Sequence, residues 1–291
     1  MIDPAAVEWI DAHVARTGEV EVIRERPWST VLVAPTADGP VWMKVAGTGT
    51  AFEVPLYALL ARVVPDDVLV PIALDVERSW LLLPDGGTPL GEAGAGPDEV
   101  IAALVEYGRL QRALAPHADE LLALGVQDMR PAVMPARFEQ ALAAAGRELP
   151  EVAALAPQVG EWCERLAASP LPASLDHNDL HPWNILAGPR YYDWGDAVLA
   201  HPFAAMFVPL GYLQHVHGDA VLAQARDAYL AGFGDPAELG DTLELACRVA
   251  KIARALTWAR AIEAGGGDVD PDWADAPAET LEGLLRPGYL D

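Results

Sequence analysis

The spacing of apolar positions changes period along the chain. The first segment, PAAVEWIDAHVA, sets Val7, Ile10 and Val14 on one face of a short helix, with Pro4 near its start. From Glu19 the period shortens to that of strands. EVEVIRE, STVLVAP and GPVWMKVAG follow one another, separated by RPW and the turn-forming TADGP, which predicts an antiparallel three-strand meander. A helix is expected over residues 51–63, where Phe52, Leu56, Leu59 and Leu60 share a face and Pro55 sets the start near Glu53 or Val54. VLVPIALDVE and RSWLLLPD add two strands. Residues 1–85 therefore make a small α+β lobe, a five-stranded antiparallel sheet with a helix.

GGTPLGEAGAG, residues 86–96, concentrates glycine and is expected to connect two lobes. Residues 97–291 are then mainly helical. PDEVIAALVEYGRLQRAL has Pro97 in its first turn, Asp98 and Glu99 at the positive end of the helix dipole, and Val100, Leu104, Tyr107 and Leu114 on one side. Further helices are predicted over 135–146, 151–167, 219–232, 241–264 and 277–286. The segment 241–264 is the clearest, with Leu245, Val249, Ile252, Leu256 and Ile262 near one face and a glycine run at its end; GGGDVDPDWAD after it reads as a loop. Within this helical half, residues 176–196, DHNDLHPWNILAGPRYYDWGD, form an island without helical period.

Composition narrows the function classes. A chain of 291 residues suits two modest lobes with a cleft between them. Its longest weakly polar run, Ala197 to Leu213, is broken by His201, Pro202 and Pro209, so no membrane span or membrane partner is expected. The first residues carry acids where an export signal would carry Lys or Arg, which predicts a cytoplasmic protein. Cys163 and Cys247 are far apart on predicted helices and read as small core residues. A net charge of −24 argues against a nucleic-acid partner, which needs clustered Lys and Arg, while it would attract a cationic ligand and equally serves solubility.

The polar island carries the chemistry. His177, Asp179 and His181 alternate and could direct three ligands to one side, as in a metal-dependent hydrolase, although the other histidines supply no second ligand cluster. A simple polar turn would leave many side chains needing partners. A third pattern is His-x-Asp-x-x-x-x-Asn followed by Asp-x-Gly, made by His177, Asp179, Asn184, Asp193 and Gly195. It resembles the catalytic and magnesium-binding loops of the protein-kinase-like fold. The run His177-Asn178-Asp179-Leu180-His181-Pro182-Trp183-Asn184 is similar to that of the aminoglycoside phosphotransferase and choline kinase-like small-molecule kinases, with Asn178 where Gly is common. An Ala-Pro-Glu element and a long segment after Asp193-Trp-Gly, both marks of protein kinases, are missing.

The resemblance covers roughly Glu19 to Phe203 and implies a bilobal α+β fold that uses ATP, or another NTP, with Mg²⁺. It implies Asp179 as the base beside the acceptor hydroxyl and Asn184 and Asp193 as Mg²⁺ ligands, brought together by a hairpin turning at Ala187-Gly188-Pro189. His177 would brace the loop, and His181 would touch phosphate or acceptor or support the loop. Asp196 would line the acceptor pocket or, the favoured expectation, cap a following helix. In the first lobe it implies Lys44 of VWMKV as the phosphate contact, Glu53 as its partner, Ser29 at a terminal phosphate, and Leu83 and Asp85 in a hinge beside the base. The acceptor would be a small hydroxyl compound. Aminoglycosides or amino sugars suit an acidic pocket, and choline-like cations suit an aromatic cage drawn from Trp183, Trp194, Tyr212, Trp258 and Trp273. Neutral sugars and macrolides stay open, as does a nucleotide-binding pseudokinase, against which the intact Lys, Asp, Asn, Asp set argues.

Overall fold

The computed structural model describes residues 2–264 and 273–291; most of GGGDVDPDWAD lies outside the described residues. Helix α1 (Pro4–His13) precedes strands β1 (Glu21–Arg26), β2 (Ser29–Thr36) and β3 (Gly39–Ala46), helix α2 (Glu53–Val63), and strands β4 (Ala73–Asp75) and β5 (Trp80–Pro84). All pairings are antiparallel, in the order β1-β2-β3-β5-β4. The two-residue period of β3 sorts its side chains: Val41 and Met43 join Leu32, Leu82 and Ile10 under α1, whereas Trp42 and Lys44 face the cleft. Exposed β1 carries Glu21, Arg24, Glu25 and Arg26 and a register shift between Val22 and Arg24, which suit an edge strand. β4 keeps only three residues of VLVPIALDVE because Pro71 lacks the N–H that a ladder needs.

The second lobe is built from helices α3 (Pro97–Leu114), α4 (Ala118–Ala123), strand β6 (Gln127–Asp128), α5 (Met134–Ala143), α6 (Pro150–Ala153), α7 (Ala156–Ala167), strands β7 (Ser174–Asp176), β8 (Ile185–Leu186), β9 (Arg190–Tyr191) and β10 (Val198–Ala200), and helices α8 (Phe207–His217), α9 (Asp219–Leu230), α10 (Pro236–Ala264) and α11 (Ala276–Glu282). The expected helix over 151–167 is two, since Pro157 starts a new one at its second position. Helix α8 was hidden by Pro209, which sits in its first turn, where no N–H is required. Strands β6, β10 and β7 form an unforeseen small sheet; β7 and β10 are buried along their whole length and show no alternation to read. Helix α10 starts at Pro236, earlier than its periodicity suggested, and runs for 29 residues. Neighbours on several sides bury it, so burial extends beyond the apolar face that its periodicity marks.

One apolar cluster continues from α2 and β5 through the 86–96 segment into the helices, including Leu60, Leu83, Leu90, Leu104, Tyr107 and Tyr191. Residues 86–96 are fastened to the polar island: the Leu90 and Gly91 amides donate to the carbonyls of Ile185 and Pro182, at 2.8 and 2.9 Å. Gly91 permits this approach, because a Cβ there would lie 2.4 Å from the Trp183 ring. Leu104→Ala, in the fully buried middle of α3, is expected to cost about 2–5 kcal/mol in urea unfolding. Val22→Thr on exposed β1 should stay within about 0.5 kcal/mol.

Candidate active site

The cleft is organised around Lys44. Its ammonium lies 2.6 Å from Glu53 Oε2 and donates to Asp193 Oδ1 at 2.5 Å, so a strand, the first residue of α2 and the second lobe meet on one cation. Gly195 leaves room for them, since a Cβ there would stand 3.2 Å from Glu53 Oε2 and 3.4 Å from Lys44 Nζ. Burial disfavours the Lys44 charge, but Asp193 and then Glu53 outweigh it and hold its pKa above the ordinary value. Burial also disfavours the Asp193 charge, and Lys44, followed by Arg24, reverses this and holds the carboxyl well below the usual range. Buried Glu53 is pushed up to about 7 by desolvation, against the pull of Lys44.

β7 delivers the second group of residues. The His177 amide donates to the Tyr107 hydroxyl at 2.8 Å, and its Nε2 donates to the Tyr192 carbonyl at 2.9 Å. Its ring packs 4.7 Å from that of Trp194, and burial lowers its pKa, so the imidazole is neutral. Asn178 takes the left-handed conformation at φ 61°, which explains why glycine would serve at this position and why Asn can replace it. Its Nδ2 donates to Thr257 Oγ1 at 2.8 Å. Asp179 Oδ1 accepts from Arg254 Nη2 at 2.8 Å, and His181 Nε2 lies 3.5 Å from Oδ2. Burial would raise the Asp179 pKa, and Arg254 together with His181 and His177 more than offsets that, leaving it below the ordinary value.

Asn184 Nδ2 donates to the Asp179 carbonyl at 2.9 Å, which leaves Oδ1 as its other polar end. The hairpin of β8 and β9 pairs Ile185 with Tyr191 and Leu186 with Arg190, placing Asn184 just before one strand and Asp193 two residues after the other. The Tyr192 amide closes that end on the Asn184 carbonyl at 3.3 Å. Asp193 is also left-handed, at φ 64°.

Two cavities share Lys44 and Asp193. The first, about 280 Å³, lies under the sheet and is lined by Val31, Trp42, Leu81, Leu83, Asp85 and Leu186 among others. Asp85 accepts from Trp42 Nε1 at 3.2 Å. The second, about 140 Å³, adds Asp179, Asp196, Arg254 and Trp258. Ser29 is buried in β2 and lines neither cavity; its neighbour Trp28 lines the second.

Several expectations are corrected by these positions. Asp196 caps no helix: β10 follows it, and its carboxylate accepts from Arg254 Nη1 at 2.9 Å at the second cavity. The triplet His177, Asp179 and His181 does not converge, because His177 turns to the Tyr192 carbonyl, and no metal-holding group of three His, Cys, Asp or Glu occurs among the described residues. No single cage forms from the five aromatic candidates. Trp194 is sealed in the core, Trp183 pairs with Tyr212 at 5.8 Å, Trp258 lies under the Arg254 guanidinium, and Trp273 packs tilted against Trp28 at 5.4 Å. Arg254, Arg24 and Asp176 were not anticipated. Arg254 reaches Asp179 from 75 residues away, and no local spacing signals it.

A small antiparallel sheet over a helical lobe, with a Lys and Glu pair facing a His-Asn-Asp loop, defines a bilobal α+β fold of the protein-kinase-like kind. The chain belongs to the phosphotransferase enzyme family, whose model matches residues 30–242. Solved structures share the fold. They include macrolide 2′-phosphotransferase MphH from Brachybacterium faecium (21% identity, 95% of this chain and 97% of that one, TM-score 0.59) and choline kinase LicA from Streptococcus pneumoniae (13%, 97% and 98%, 0.65). A third is amicoumacin kinase hAmiN in complex with AMP-PNP, Ca²⁺ and Ami (12%, 99% and 95%, 0.62). No curated protein matches. No described helix is long and apolar enough to cross a membrane.

Asp176 supplies a test of these electrostatics. Its Oδ1 accepts from the Asn178 amide at 2.7 Å, Oδ2 has no partner among the described residues, and burial pushes the carboxyl up to about 7. A folded-state pKa above the unfolded value means that the folded form holds the proton longer. Stability from this group is therefore full below about pH 4 and lost as pH rises toward 7. Asp176→Asn keeps the acceptor for Asn178 and is expected to raise Tm by a few degrees at pH 7.5 and by less at pH 5, measured by calorimetry.

Proposed function

We propose that this protein transfers the γ-phosphoryl group of Mg²⁺-bound ATP to a hydroxyl of a small molecule. The observation that carries the reading is the sharing of Lys44 and Asp193 by two adjoining cavities, one apolar under the sheet and one containing Asp179. A purine fits the first, between Val31, Leu81 and Leu186, with Leu83 and Asp85 at its edge. Lys44, fixed by Glu53, then meets the phosphates as a positive charge already desolvated.

Asn184 Oδ1 and the Asp193 carboxylate are hard oxygen donors, the set Mg²⁺ prefers when substrate phosphates complete its shell. They would hold the ion, which neutralises charge developing on the phosphates. Asp179 faces the second cavity with Oδ1 tied to Arg254 and Oδ2 beside His181 and Asn184. It stays ionised near neutral pH, accepts the hydrogen bond of the acceptor hydroxyl, aims that oxygen at phosphorus and takes its proton as the P–O bond forms. His177 acts at a distance by tying the loop to the Tyr192 carbonyl.

With Mg²⁺ and an accepting hydroxyl compound, Asp179→Asn is expected to lower turnover by about 10²–10⁴-fold while leaving nucleotide affinity nearly unchanged. Coupled ATP consumption and calorimetric titration with a non-hydrolysable ATP analogue measure the two; unchanged turnover sinks the role of Asp179. Lys44→Met should do the reverse in part, weakening nucleotide binding measurably. Tight binding with no turnover of any acceptor would mark a pseudokinase instead.

A further inference from the structure

Among the described residues, the second cavity is lined by as many cations as anions. Its charged lining is Arg24, Lys44 and Arg254 against Asp179, Asp193 and Asp196. Each carboxylate already meets a cation: Asp179 and Asp196 meet Arg254 at 2.8 and 2.9 Å, and Asp193 meets Lys44 at 2.5 Å. Arg24 adds a further contact to Asp193 at 3.4 Å, and Arg260 stands 4.0 Å behind Asp196. The remaining wall is aromatic, small or hydroxylic: Trp28, Trp258, Thr50, Thr257, Gly195 and Ala261. The face of Trp258, a natural seat for an ammonium, is taken by the Arg254 guanidinium at 5.0 Å from the ring centre.

Given the phosphotransfer reading above, we propose that the acceptor is an uncharged hydroxyl compound, such as a sugar or polyol, and that Arg254 is the specificity-determining residue that rejects an ammonium beside the reacting hydroxyl. Three physical steps support this. An ammonium entering the cavity finds, among the described residues, no lining carboxylate without a cation beside it, and it shares the cavity with Arg254 and Arg24, in a setting where like charges are poorly screened. The net charge of −24 draws cations toward the protein, but that long-range field is screened within about 8 Å at physiological salt and does not replace a local partner. A cavity of about 140 Å³ is also small for a polyamine of several rings, whereas one ring, or one ring of a larger molecule, suits it. Arg254 is in addition a positioning residue: its grip on Asp179 Oδ1, the Asp196 carboxylate and the Asn178 carbonyl, the last at 3.0 Å, leaves Oδ2 as the oxygen for the acceptor.

The test compares matched acceptors that differ by one charge: D-glucose with D-glucosamine, inositol with aminoinositol, and choline with its uncharged carbon isostere. The full chain is titrated with each by calorimetry in the presence of Mg²⁺ and a non-hydrolysable ATP analogue, and ATP consumption is measured with Mg²⁺-ATP. The uncharged member of a pair should be favoured on the order of tenfold or more in Kd and kcat/KM. Arg254→Gln should move that ratio toward parity, and Arg254→Lys, which keeps the charge, should preserve it. A purely structural role would weaken both members alike and leave the ratio fixed. Should Arg254→Gln not fold, Arg24→Gln, on a half-exposed side chain, should narrow the ratio by a smaller factor. Preference of the unmodified protein for the charged members overturns the proposal. So does a ratio indifferent to Arg254, or a nucleotide-bound protein that binds none of the uncharged members. In these cases Mg²⁺-dependent nucleotide binding still stands; failure to bind nucleotide at all would instead overturn the phosphotransfer reading beneath it.

Discussion

Everything in the cleft depends on one ammonium held between two carboxylates. Lys44 belongs to a strand, Glu53 to the helix after it and Asp193 to a loop in the other lobe, so their contacts fix the lobes relative to each other at the point where phosphates would lie. Such a buried cluster is not primarily a stabilising device. Removing ions from water costs several kcal/mol apiece, and the mutual attraction returns that only when every partner is present. In the proposed reaction its value is in placing charges without water around them, so that a phosphate anion would meet a preorganised cation.

The same logic recurs deeper in the second lobe with the same polarity. There Arg254 is the centre, and Asp179, Asp196 and the Asn178 carbonyl surround it. Left-handed backbone at Asn178 and at Asp193 turns the chain sharply on either side of the hairpin, so that both loops present side chains to the same space. Fixed in this way, Asp179 is an ionised acceptor with Oδ1 held by Arg254 and Oδ2 in only long contacts with Asn184 and His181, at 3.4 and 3.5 Å. The described lining of the cavity it faces is balanced in charge, although the protein as a whole is strongly acidic.

Much of this was legible in the chain. VWMKV was expected as the third strand of the sheet with Lys44 on it and Glu53 at the start of the next helix, and the structure pairs the two at 2.6 Å. The Ala187-Gly188-Pro189 turn predicts the hairpin that carries Asn184 and Asp193. The small sheet of β6, β7 and β10 was not legible, because its two- and three-residue strands, two of them wholly buried, offer no alternation. Helix α8 escaped because a proline in a first turn looks the same in sequence as a breaker. The position of Ser29 was not legible: the turn before it is tight enough that the strand has already begun and turned its side chain inward.

Local spacing by itself determined which oxygen donors stand together, which strand bears the cleft lysine and that two lobes would form, since each of these follows from a period or a short loop. Only the tertiary structure decided what those donors are paired with. Arg254 lies 75 residues from Asp179, on a helix buried from several sides and away from the apolar row that its sequence marks, and it meets its partners only because that helix packs beneath the loop. Charge balance in a cavity is a sum over residues distant in sequence, each weighted by separation and burial. That sum exists only once the chain has closed around it.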